Sequence, residues 1–157
     1  MNFTLRLFLA CLALSYLPGC GKSDHGHTAA GGGHAHTAPH GGVLVELGDH
    51  AANLEVLRNA ATGKLTVWVL DGHAENFLRL KATSLALVAT IGAEKRPLTL
   101  QAVANSATGE TVGDTSQFET QADWLKGTAP IEFAVPALEI RGAKFAPTTF
   151  RLPPATK

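Results

Sequence analysis

Cysteine and methionine are nearly missing from this chain. Cys11 and Cys20 are its two cysteines, and Met1 is its one methionine. Both cysteines lie in the first twenty residues, so the rest of the chain has no disulfide, four-cysteine zinc site or methionine-rich Cu(I) site. Aromatic residues make up only 6% of the sequence, which leaves leucine, valine and alanine to fill a core. Neither sign of charge dominates, with 13 Lys and Arg against 13 Asp and Glu. That balance gives no basic face for nucleic acid and no acidic tail. Also missing are Gly-x-Ser-x-Gly, a cysteine nucleophile, His-Glu-x-x-His and a phosphate-cradling glycine loop. The run Gly31 to Gly33 lacks the Lys-Ser/Thr that such a loop requires. The residues point away from an enzyme.

What is present begins with an address. "MNFTLRLFLACLALSYLPGC" carries Arg6 and then an apolar run from Leu7 to Leu17. A bilayer span needs about 20 apolar residues, so this run has the length of a signal-peptide core instead. It ends in Leu17-Pro18-Gly19-Cys20, which resembles a bacterial lipobox. That resemblance implies cleavage before Cys20 and lipid on its thiol and new amino terminus. Residues 1–19 are then a lipoprotein signal peptide, and the mature chain is held at the membrane through Cys20. Gly21 rather than Asp follows the cysteine, which leans toward the outer membrane.

Residues 20–41 are crowded with histidine. His25, His27, His34, His36 and His40, five of the seven histidines, stand among Gly, Ala and Thr. No apolar period of 2 or 3.6 runs through them, so the segment reads as a disordered tether. The spacing carries the chemistry. In extended chain, residues i and i+2 point the same way, so His25-Gly26-His27 and His34-Ala35-His36 can each bring two imidazoles to one ion. The soft hinge Thr28 to Gly33 lets the pairs meet, and Asp24 adds a carboxylate. Imidazole suits Zn(II), Cu(II) and Ni(II). A flexible site orders itself on binding, so modest affinity and weak selectivity are expected, with release below pH ~6.5, where free imidazole takes its proton. The tract also reads as a plain spacer.

From Gly42 the pattern changes to short runs with turn residues between them. Strands are expected over Val43 to Leu47, Ala52 to Arg58, Lys64 to Asp71, Ser84 to Ile91, Pro97 to Ala104 and Ile131 to Val135. Ala137 to Ala146 reads as a hairpin turning at Arg141-Gly142, with Thr148 to Leu152 continuing its second arm. In Lys64 to Asp71 both faces are apolar, since Trp68 and Leu70 stand opposite Leu65, Val67 and Val69; this strand belongs inside a sheet. One short helix is expected over Ser116 to Lys126, because Phe118, Ala122 and Leu125 share a face. Ser116 with Glu119, or Thr120 with Asp123, would cap it. The expectation is an all-β, antiparallel β-sandwich of the immunoglobulin-like kind over residues 42–155, with a small barrel as the second choice.

"PHGGVLVELGDHAANLEVL" and "GKLTVWVLDGHAE" resemble small His-rich bacterial lipoproteins whose β domain is entered through Pro-His-Gly-Gly. They are also similar to the amino-terminal β domain of periplasmic adaptor subunits of heavy-metal efflux pumps of the resistance-nodulation-division class. The resemblance implies metal handling in the envelope, with metal-efflux or other envelope proteins as partners. This chain lacks room for the helical hairpin, lipoyl domain and barrel of an adaptor. His40 matches the entry motif, while His50 and His73 fall in loops close behind Asp49 and Asp71. With a carboxylate, His40, His50 and His73 would make a pre-organised site. Turn-forming aspartates explain both loops without a metal, and the sequence favours that simpler reading.

The expected function is therefore a lipid-anchored, periplasm-facing envelope protein that binds Zn, Cu(II) or Ni through its histidine-rich segment, accessory to metal homeostasis or efflux. The alternative is an interaction or structural β module whose leader is only a spacer.

Overall fold

The structure, a computed structural model, describes residues 36–153. Ten strands follow one another: β1 (Val43–Leu47), β2 (Ala52–Asn59), β3 (Lys64–Asp71), β4 (Ser84–Ile91), β5 (Glu94–Ala102), β6 (Gln117–Gln121), β7 (Ile131–Val135), β8 (Leu138–Ile140), β9 (Ala143–Phe145) and β10 (Thr148–Leu152). Eight of them form one antiparallel sheet in the order β1-β2-β3-β6-β5-β4-β7-β10, and β8-β9 is a separate hairpin. The edge strands β1 and β10 approach each other, so the sheet curls back on itself like a barrel. The all-β antiparallel expectation holds.

The reason lies in the alternation. Leu54 and Val56 on β2, Leu65, Val67 and Val69 on β3, and Phe118 on β6 are all at most 1% exposed. They share one core cluster with Leu87, Leu100 and Phe133 from the other half of the sheet. A curled sheet buries this continuous face without a second layer, and leaves only two strand edges to protect. Among the described residues, no helix is long and apolar enough to cross a membrane.

Strand β5 begins at Glu94 rather than Pro97 and ends at Ala102 rather than Ala104, and two further segments depart from the sequence reading in kind. The helix expected over Ser116 to Lys126 shrinks to one 3-10 turn, Asp123–Leu125, and Gln117–Gln121 is strand β6. Ala122 is extended and caps nothing with a side chain, so neither expected capping box forms. Pairing decides the matter: Phe118 sits opposite Val67 on β3 and Ala102 on β5, filling the space between two strands. Thr148–Leu152 leaves the β8-β9 hairpin and pairs with β7 instead, Phe150 opposite Phe133. Their rings stack at 5.2 Å, which rewards that choice.

Candidate metal centre

The β1-β2 loop carries His50, and the loop leaving β3 carries His73. Both lie at one end of the sheet, because Ala52 at the start of β2 is registered with Asp71 at the end of β3. The two loops are pressed together. Gly72 lies so close to the carbonyl of His50 that a Cβ would overlap its oxygen and stand 2.8 Å from its carbon. Buried Asn53 ties the second loop down, donating Nδ2 to the carbonyls of Asp71 (3.1 Å) and Gly72 (2.9 Å). His50 adopts a left-handed backbone (φ 51°), and its N–H donates to Glu46 Oε1 at 3.0 Å.

Into this corner comes His36. Its ring centroid lies 5.5 Å from that of His73 and 6.2 Å from that of His50, both edge-on. Two imidazoles on one zinc ion, with Zn–N bonds of about 2.0–2.1 Å, hold their centroids about 5 Å apart. The His36 ring thus stands near that spacing from His73 and about an ångström beyond it from His50. Carboxylates are at hand. Ligand atoms of Glu46, Asp49 and His50 lie within 4.8 Å of one another, all exposed. Glu46 Oε2 is 3.6 Å from His50 Nδ1, which leaves the Nε2 of that ring for a metal. Neutral nitrogen with one or two carboxylates suits borderline divalent ions and not hard ones.

Asp71 is spent otherwise. Its carboxylate accepts the Glu75 N–H (2.9 Å) and the Asn76 Nδ2 (2.6 Å), which folds the loop around it. Burial works to raise its pKa, but the Asn76 side chain and the backbone N–H groups of Glu75, Asn76 and His73 hold it below the usual carboxylate range. It fixes the loop that presents His73.

His40 does not join the cluster. It lies flat on Trp68 of β3, centroids 3.8 Å apart and planes 10° apart. Its Nδ1 is 2.8 Å from Oε2 of Glu55, and its backbone N–H donates to Oε1 at 2.7 Å. The Gly42 N–H donates to the same oxygen at 2.9 Å. Glu55 has no solvent exposure at all. The Pro-His-Gly-Gly entry is thus a lid on a buried acid. Glu55 belongs to no motif that the sequence offers, and its role was not legible there. The available signal was Trp68, whose apolar bulk on the same face of the neighbouring strand called for cover.

The structure therefore brings His36, His50 and His73 together and sets His40 apart. His25, His27, His34 and Cys20 lie outside the described residues. No protein-family model, curated protein or solved structure matches this chain.

Proposed function

We propose that this chain is a lipid-anchored protein of the bacterial envelope that binds a divalent transition ion, Zn(II), Cu(II) or Ni(II), as an accessory to metal homeostasis or efflux. One observation carries the reading: the His36 ring lies 5.5 Å from that of His73 and 6.2 Å from that of His50, three imidazoles from three separate stretches of chain, and His50 stands beside Glu46 and Asp49. Three histidines in one corner do nothing for a hydrophobic core, and neutral nitrogens so grouped are a ligand set. The lipobox-like Cys20 and the resemblance of the Pro-His-Gly-Gly entry support the location and the partners. The remaining leader histidines His25, His27 and His34 act as looser capture groups, and the body holds the ion in a fixed frame.

Calorimetric titration of the mature chain with the three ions tests this. A variant with His36, His50 and His73 changed to alanine loses the tighter class of binding. One with His25, His27 and His34 changed keeps it. Absence of binding to the unchanged chain overturns the proposal and leaves the leader as a spacer.

A further inference from the structure

We infer that Glu55 is a positioning group for the metal centre: its buried carboxylate clamps the entry segment and so delivers His36 to His50 and His73. The inference rests on the metal-binding reading above. Among the described residues, the three hydrogen bonds of the Glu55 carboxyl group all run to residues 40 to 42: it accepts the His40 N–H and the Gly42 N–H, and it shares the third with the His40 ring. None comes from the sheet around it. A fully buried carboxyl group with no other partner among the described residues drives that segment onto the sheet, since leaving it bare is costly.

The clamp is tight in every direction. Glu55 and Trp68 are registered neighbours on β2 and β3, so the carboxylate and the indole share one face. His40 fills both, bonded to the first and stacked on the second. Gly42 lies directly on β2, where a Cβ would stand 2.8 Å from the Val56 oxygen and 2.9 Å from Glu55 Cγ. Upstream, the Gly41 N–H donates to the Ala38 carbonyl at 3.1 Å and closes a turn. Only three residues then separate the clamped His40 from His36.

Reach gives the size of the effect. A chain spans at most ~3.3–3.6 Å per residue, so His36 is confined within about 14 Å of His40. Without the clamp, the nearest fixed point is Val43 at the start of β1, seven residues away, and the limit becomes about 24 Å. The accessible volume grows roughly fivefold, and the effective concentration of the His36 imidazole at the site falls by the same factor. Glu55 never touches the ion, yet it sets the affinity. By linkage, the ion must tighten the clamp as much as the clamp tightens the ion.

The test uses the full mature chain with His25, His27 and His34 changed to alanine, titrated with Zn(II). Glu55→Leu, of similar volume, weakens binding about fivefold or more. Glu55→Gln keeps an oxygen for the two backbone donors and weakens it less. In a His36→Ala background, Glu55→Leu costs nothing further. In the unmutated chain, saturating Zn(II) slows amide exchange at His40 and Gly42 about fivefold, a measurement that needs no variant to fold. Unchanged affinity in a folded Glu55→Leu protein, an equal loss in the His36→Ala background, or unchanged exchange overturns the inference while the metal site stands. No zinc binding by the parent overturns the metal-binding reading itself.

Discussion

Gly72→Ala tests the frame of the site without touching a ligand. Gly72 has no left-handed backbone to protect, so only its close approach to the His50 carbonyl requires glycine. The new methyl would stand 2.8 Å from the His50 carbonyl carbon and overlap its oxygen. Ordinary carbon contacts lie at about 3.5–4.0 Å, so the two loops must part by about 1 Å. Asn53 resists, because its two bonds hold the Gly72 side of the gap. Overpacking of this size costs about 1–3 kcal/mol. In a domain of this length, each kcal/mol lowers Tm by about 3–6 °C, so a fall of about 3–18 °C is expected. The same displacement carries His50 away from His73 by several times the ~0.2 Å that metal–ligand distances tolerate. Zinc affinity should then drop at least about tenfold, the loss already typical of disturbing a ligand's supporting groups. Thermal melts with and without Zn(II), followed by titration, read both effects. A Gly72→Ala protein with parental Tm and parental affinity would refute the packing of the two loops as described.

Other consequences can be measured independently. Glu110, 8% exposed, accepts the Ser116 N–H (2.8 Å), the Ser116 hydroxyl (2.6 Å) and the Thr108 hydroxyl (2.8 Å). Burial works to raise its pKa, but the Ser116 and Thr108 hydroxyls, the Ser116 N–H and the Arg79 charge carry it below the ordinary 4.5. A depressed folded pKa stabilises above the unfolded value and loses that stability as pH falls through the folded one. Glu110→Gln should therefore cost about 1–3 kcal/mol in urea unfolding at pH 7, with the gap from the parent shrinking below pH ~4.5. An equal gap at pH 7 and pH 2.5 would contradict this. Phe118→Ala empties a fully buried ring from the centre of the sheet and should cost about 3–5 kcal/mol in the same assay. A loss under 1 kcal/mol would show that β6 does not hold the core together. Cys20→Ala should abolish labelling by palmitate and leave the protein in the unprocessed form on gels; labelling that persists would dispose of the lipid anchor.

Most strands were legible because their chemistry is local. Alternation and turn residues place β1, β3, β4 and β7 residue for residue, and the β8-β9 hairpin within one residue at each end. What escaped depends on partners far along the chain. Phe118, Ala122 and Leu125 satisfy a helical spacing, and only the vacancy between β3 and β5 makes Gln117–Gln121 a strand. Thr148–Leu152 reads as a strand from its own residues, but its partner is settled by the Phe133–Phe150 stack.

The site divides in the same way. Two histidines behind turn-forming aspartates could be read as loop residues at strand ends, and they are. That the loops touch depends on the β2-β3 register and on Gly72, which no short motif records. The entry histidine was the natural third ligand by sequence. It is withdrawn by Glu55, a carboxylate whose burial comes from the lid it recruits. His36, four residues earlier, lies near both loop histidines instead.

The surroundings of a bound ion test the centre most directly. X-ray absorption at the zinc edge, on mature chain with His25, His27 and His34 changed to alanine, should show nitrogen and oxygen neighbours at about 2.0–2.1 Å with the scattering of three imidazole rings. Zinc that washes away, or a shell with one imidazole or none, would contradict a centre built from His36, His50 and His73.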